Sequence, residues 1–119
     1  MPDPATIVRT YIEMWNETDP QRRRELVSAT LTDDASYLDP IMAGQGVEEI
    51  SDMIGAAQAQ HPSHRFELVD GPDAHHDRVR FTWSLGSPAG EPVAVGVDFA
   101  TTADDGRMRD VTGFLEPAA

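Results

Sequence analysis

Asp98 is the residue whose surroundings most constrain its chemistry. It is the only charge in Val93-Ala94-Val95-Gly96-Val97-Asp98-Phe99-Ala100, a run rich in β-branched residues that reads as a strand. A carboxylate taken out of water there must be paired, hydrogen-bonded or held neutral, and groups treated in this way are typical of ligand sites. An Asp at an exposed strand position, or one that satisfies a nearby loop, needs none of this. Its neighbours on its own face, Ala94, Gly96 and Ala100, are small and leave room for a ligand. Two other polar groups bear on the choice. Tyr11 lies on an apolar helical stripe, where a core tyrosine bonded to a neighbour is the plain alternative, as plain core is for Trp15. Asp39 precedes Pro40, where a turn former bonding the following backbone is the plain alternative.

The elements that carry these residues follow from caps and periodicity. Asp3-Pro4 is an N-cap followed by a first-turn proline, and Ile7, Val8, Tyr11, Ile12 and Trp15 then share one helical face. Asp19-Pro20 repeats the signal for a second short helix carrying Leu26 and Val27, which ends before a loop at Thr30-Leu31-Thr32-Asp33-Asp34. A short strand is expected over Ala35–Asp39, its end fixed by Pro40. Gly44 and Gly46 bracket a turn, and Val47, Ile50, Met53, Ile54 and Ala57 mark a third helix stopping near His61-Pro62. Four strands follow, over 64–69, 78–85, 93–103 and 107–115, separated by turns at 70–73, 86–90 and 104–106. Asp105-Gly106 within the last turn is a hairpin signal. The order is α+β: three N-terminal helices packed on a curved, mainly antiparallel sheet. The 119 residues form one domain, 1–119, with no repeat or linker.

Composition narrows the chemistry. There is no cysteine, which removes disulfides, thiolate nucleophiles and cysteine-ligated metals. All nine basic residues are Arg, so there is no Schiff-base lysine and no phosphate-loop lysine. A net charge of -12 opposes binding to nucleic acid or to an anionic membrane, and Arg22-Arg23-Arg24 reads as a solvated helix face. No apolar run reaches the length of a membrane span, and Met1-Pro2-Asp3-Pro4-Ala5 lacks signal-peptide character, so a cytoplasmic location is expected. His61, His64, His75 and His76 show no helical ligand spacing, and His75-His76-Asp77 reads as a polar turn; no metal or other cofactor is expected. Ser84 lies in no nucleophile motif.

With Tyr11-Ile12-Glu13-Met14-Trp15-Asn16 on the first helix and Tyr37-Leu38-Asp39-Pro40 before a glycine turn and third helix, the chain resembles the nuclear transport factor 2-like superfamily. It is most similar to the branch holding ketosteroid isomerase and the SnoaL-like polyketide cyclases. The resemblance covers nearly the whole chain and implies a cone-shaped fold. It also implies roles: the isomerase family uses a tyrosine on the first helix, an aspartate before a proline on the first strand and an aspartate in a late strand, which Tyr11, Asp39 and Asp98 match in order. By that resemblance Asp39 is the base, while Tyr11 and a protonated Asp98 donate to the oxygen that becomes an enolate, the logic of ketosteroid isomerase itself. The superfamily's limonene epoxide hydrolases use an Arg two residues before an Asp on one strand. No such pair occurs here.

The expectation is therefore a small enzyme that binds a hydrophobic, carbonyl-bearing molecule and transfers a proton without a cofactor, as isomerase or cyclase. Its pocket would be lined by Trp15, Tyr37 and Met53, by Phe81, Trp83 and Leu85 on one strand face, and by Val111 and Leu115 beside them. A non-catalytic ligand-binding or interaction domain of the same fold is the alternative; a hydrolase or hydratase using Asp39 to activate water is a third. If Asp98 points to the helices, Val93, Val95, Val97 and Phe99 point away and form an apolar patch, so a homodimer through the outer sheet face is expected.

Overall fold

The computed structural model describes residues 2–116; Met1 and residues 117–119, which the one-domain reading includes, lie outside them. Helix α1 (Pro4–Asn16) starts where Asp3 accepts a hydrogen bond from the Thr6 amide at 2.8 Å, and α2 (Pro20–Thr30) where Asp19 accepts from Arg22 at 2.9 Å. Each cap satisfies an amide that the helix leaves unpaired, and the proline after it has no amide to satisfy. Helix α3 (Gly46–Gln60) has no side-chain cap bond and carries Glu48 and Glu49 in its first turn, where the positive end of the helix dipole favours them. Among the described residues, no helix is long and apolar enough to cross a membrane.

Six strands form one sheet: β1 (Leu31–Leu38), β2 (Ala43–Gln45), β3 (Arg65–His75), β4 (Arg78–Gly86), β5 (Pro92–Thr102) and β6 (Met108–Leu115). Their order is β2-β1-β6-β5-β4-β3, with only β1 and β6 parallel. Three helices cover one face, giving the α+β cone expected from the element order.

Three local expectations are corrected. The segment at Thr30–Asp34 is no loop: α2 ends at Thr30 and β1 begins at once, because Leu31 is drawn into the core and its amide still bonds the carbonyl of Val27. The segment at 70–73 is no turn between strands. It is an irregular stretch inside β3, with register shifts between Leu68 and Asp73, and the reversal comes at His76 and Asp77. Ala43–Gln45, which contains Gly44 and ends before Gly46, pairs with β1 as a strand of its own.

The core joins one stripe of α1 (Ile7, Val8, Tyr11, Met14 and Trp15) to Ile50 and Ile54 of α3 and to the inner positions of the sheet. Two polar clasps hold the end of α1 in place. Asn16 copies a strand partner: its amide donates to the Phe66 carbonyl at 2.9 Å and its oxygen accepts from the Phe66 N–H at 2.8 Å. Arg23 is buried and donates to the carbonyls of Ser51 and Glu17 and to Gln58 Oε1; Gln58 in turn donates to the carbonyls of Trp15 and Glu17. Removing Asn16 leaves two part-buried backbone groups unpaired, so Asn16→Ala should lower unfolding stability by about 2 kcal/mol. Thr10→Ala, which deletes an exposed hydroxyl bonded to Thr6, should change it by less than about 0.5 kcal/mol. Urea titration of the two variants measures the contrast.

Candidate active site

Asp98 sits in the middle of β5, 2% exposed, directly opposite Phe81 of β4 on one side and Gly113 of β6 on the other. Both carboxylate oxygens accept hydrogen bonds from side chains. The Tyr11 hydroxyl donates to Oδ2 at 2.8 Å and the Trp83 indole N–H donates to Oδ1 at 3.0 Å. Two glycines make this possible. A Cβ on Gly96, the cross-strand partner of Trp83, would lie 2.3 Å from the indole, so only bare backbone lets the ring lie flat and aim its N–H at Asp98. A Cβ on Gly113 would lie 2.8 Å from Asp98 Oδ1, 3.2 Å from Asp39 Cβ and 3.4 Å from the Tyr37 hydroxyl. The two aspartates therefore meet over Gly113.

Asp39 arrives from the turn between β1 and β2. Its Oδ1 accepts from the amides of Ile41 and Met42, each at 2.8 Å, and its backbone N–H bonds the Met42 carbonyl. This is the turn-forming behaviour of an Asp before Pro40. The other oxygen, Oδ2, accepts a 2.6 Å hydrogen bond from Tyr37. One residue thus serves the turn with one oxygen and faces the pocket with the other.

Both carboxylates line an open-mouthed cavity of about 110 Å³. Its walls are largely aromatic: Trp15 stands 5.5 Å from Tyr37 and 5.2 Å from Phe66, and Phe66 stands 5.5 Å from Trp83, ring centre to ring centre. Of the residues expected from sequence, Tyr11, Trp15, Tyr37, Asp39, Trp83, Leu85, Asp98 and Leu115 line it together. Met53, Phe81 and Val111 do not; they are buried in the core, and Phe81 supports Tyr11 edge-on at 5.2 Å. Sequence reasoning missed Phe66, Met42 and His61 among the lining residues. Phe66 was detectable as an apolar position of β3, whereas Met42 and His61 carry no periodic signal.

The model of the SnoaL-like domain matches residues 8–111, nearly the whole chain. The chain belongs to the SnoaL-like family. The crystal structure of a candidate isomerase of the SnoaL-like family from Agrobacterium tumefaciens is 42% identical, with a TM-score of 0.91, covering 96% of this chain and 97% of that one. A candidate SnoaL-like polyketide cyclase from Jannaschia is 18% identical with a TM-score of 0.73, covering 98% and 89% of the two chains. A candidate polyketide cyclase from Sinorhizobium meliloti is 22% identical with a TM-score of 0.71, covering 95% and 94%. The last two share the fold. Comparison with curated proteins returns no match.

In this SnoaL-like site the electrostatics are set by dehydration. Burial raises the Asp98 carboxyl from 3.8 to about 6, opposed by the hydrogen bonds from Trp83 and Tyr11 and reinforced by the negative charge of Asp39. Burial first, and the charge of Asp98 second, push Tyr11 well above its usual 10, and the same two causes raise Tyr37. Both phenols therefore stay protonated and available as donors. Because the folded state raises the Asp98 pKa, its stabilising contribution is full below about 3.8 and is lost as pH rises through about 6. Asp98→Asn has no proton to lose at this site. The unfolding free energy of the wild type relative to Asp98→Asn should therefore fall by about 2–3 kcal/mol between about pH 4 and pH 8, read by denaturant titration at each pH.

Proposed function

We propose that this SnoaL-like protein catalyses proton transfer next to the carbonyl of a hydrophobic molecule without a cofactor, as an isomerase or an aldol-type cyclase. One observation carries the reading: two carboxylates in unequal surroundings meet at the floor of one apolar cavity. Asp98 is 2% exposed and bonded only by side chains, while Asp39 is half-buried and bonded by backbone amides and Tyr37. Such a pair divides acid and base work between its members. The 42% identical Agrobacterium protein, named a candidate isomerase of this family, supports the same class.

Asp39 takes the proton from the carbon next to the carbonyl and returns it at the new position. The carbonyl oxygen gains charge and accepts hydrogen bonds from Tyr11 and from protonated Asp98. Trp83 holds Oδ1 of Asp98, which leaves Oδ2 to carry that proton. With its pKa at about 6, about a tenth of Asp98 is protonated at pH 7 before ligand binds, and an apolar ligand that displaces water raises the share. Tyr11 then turns its hydroxyl from Asp98 to the ligand oxygen.

Asp39→Asn keeps the turn acceptor and the shape of the floor but removes the base. Exchange of the α-protons of a β,γ-unsaturated polycyclic ketone in deuterated water, followed by NMR, should fall by about 10²–10⁴-fold in this variant with ligand affinity nearly kept. A wild type that binds the ketone without exchange would identify a binding module. Incorporation of solvent oxygen into product would favour water activation.

The outer face of the sheet supports the proposed homodimer. Val93, Phe99 and Phe114 are 50%, 44% and 56% exposed, Val95 and Val97 lie between them half-buried, and Phe99 meets Phe114 edge-on at 6.3 Å. A patch of this size is seldom left in water, and a second copy of the same face covers it with like surface. Sedimentation should give a dimer for the wild type and a folded monomer for the double variant Val95→Glu with Val97→Glu. A monomeric wild type defeats this interface.

A further inference from the structure

Of the polar side chains lining the cavity, five are already bonded to one another or to backbone: Tyr11, Trp83 and Asp98 as one group, Tyr37 and Asp39 as the other. Two are not. Gln60 and His61, at the C-terminal end of α3, line the same cavity and have no side-chain hydrogen bond among the described residues. His61 is the C-cap of α3; its amide bonds the Gln58 carbonyl and its ring rests against His64 at 5.3 Å, while His64 is itself bonded to the Pro62 carbonyl at 3.0 Å. His61 also lines a second recess, which shares Trp15, Ala57, Phe66 and Leu85 with the first. The apolar walls thus run from a polar floor at Asp98 to a second polar station at His61.

We infer that the ligand has two oxygen-bearing ends, with its reacting carbonyl on Tyr11 and Asp98 and a second, uncharged hydroxyl or carbonyl on His61, with Gln60 beside it. The neutral character follows from the walls. Among the described residues no Arg lines either recess, and the chain has no Lys, so a carboxylate or phosphate at the far end would share the cavity with two carboxylates without an Arg or Lys to meet it. An imidazole can donate or accept, which suits a hydroxyl or a carbonyl equally. His61 is exposed, so the bond is partly solvated and selects among ligands more than it adds to affinity. His61 is on this view a specificity-determining residue, outside the proton transfer itself.

This inference rests on the reading of Tyr11 and Asp98 as the carbonyl anchor, and phenols, whose oxygen mimics an enolate, test the two separately. Calorimetric titration would compare 2-naphthol with 2,6-dihydroxynaphthalene, and 4-phenylphenol with the longer 4,4'-dihydroxybiphenyl. In the pair whose length matches the cavity, the second hydroxyl should tighten binding to the wild type by about 3–10-fold. In His61→Phe the ratio of diphenol to monophenol affinity, measured within the variant, should fall to about one, and His61→Gln should restore part of the gain. The carboxylate 6-hydroxy-2-naphthoate should bind no more tightly than 2-naphthol. A gain that is absent at both lengths, or that survives in His61→Phe, overturns the role of His61; tighter binding of the carboxylate overturns the neutral far end. If the monophenols bind Asp98→Ala as well as the wild type, the anchor reading fails instead. Failure of all the phenols to bind the wild type would defeat both.

Discussion

The burial of one carboxylate organises this molecule. Among the described residues Asp98 has no cationic partner, and its charge is met there by the Tyr11 hydroxyl and the Trp83 indole. Neutral donors compensate a dehydrated carboxylate incompletely, which is why its proton affinity rises rather than falls. Meeting that charge at all imposes requirements on distant parts of the chain. Tyr11 must face the sheet from α1, Trp83 must lie flat on the backbone of Gly96, and β6 must pass with no side chain at Gly113. Neither glycine lines the cavity itself; they act by letting Trp83, Asp98 and Asp39 take the places they hold in its wall.

Asp39 is bound into the structure differently. The hydrogen bonds to Ile41 and Met42 make it part of the β1–β2 turn, and Pro40 keeps its backbone extended. A structural role and a chemical one are usually weighed as alternatives for such a residue; here one oxygen serves the turn and the other is left to Tyr37 and the cavity. The turn fixes Oδ1, and through it the whole carboxylate, so the oxygen near Tyr37 is aimed without a further support. A carboxylate held by its own backbone has little freedom to lose when a ligand arrives, the kind of preorganisation that suits the role proposed for Asp39.

Much of this was legible in the sequence, for reasons that differ by element. The proline-preceded caps placed α1 and α2, and the period of two in β5 placed Asp98 inside and Val93 and Phe99 outside, because small residues and valines alternate there without interruption. Leu31 and the 70–73 segment were misread because polar and glycine-proline content resembles loop composition, while tertiary packing draws Leu31 inside and the β4 pairing holds 70–73 within β3. Period also gives a face but not a depth. Phe81 and Trp83 share one face of β4, yet Phe81 lies beneath Tyr11 in the core and only Trp83 reaches the cavity. The purposes of Gly96 and Gly113 depend on cross-strand register, which no single strand encodes.

The molecule buries a second charge, Arg23, and the contrast with Asp98 separates structure from function. Arg23 meets three neutral oxygens, two of them backbone carbonyls, and through Gln58 it fixes the carbonyls of Trp15 and Glu17. Its bonds tie α2 to α3 and to the carbonyl of Glu17 just past the end of α1, and it is not among the residues lining the cavity that holds Asp98. Its planar fork presents several donors at once, which suits a tie between neighbouring segments. Asp98 meets only two donors and faces open space, and its two protonation states lie close enough in energy to be exchanged near neutrality. A hydrophobic residue at that position would pack without any such cost, as buried ionic groups can often be replaced without loss of stability. What the carboxylate adds is a buried group whose proton affinity lies near neutrality, met by Tyr11 from the helix whose end Arg23 and Gln58 bind.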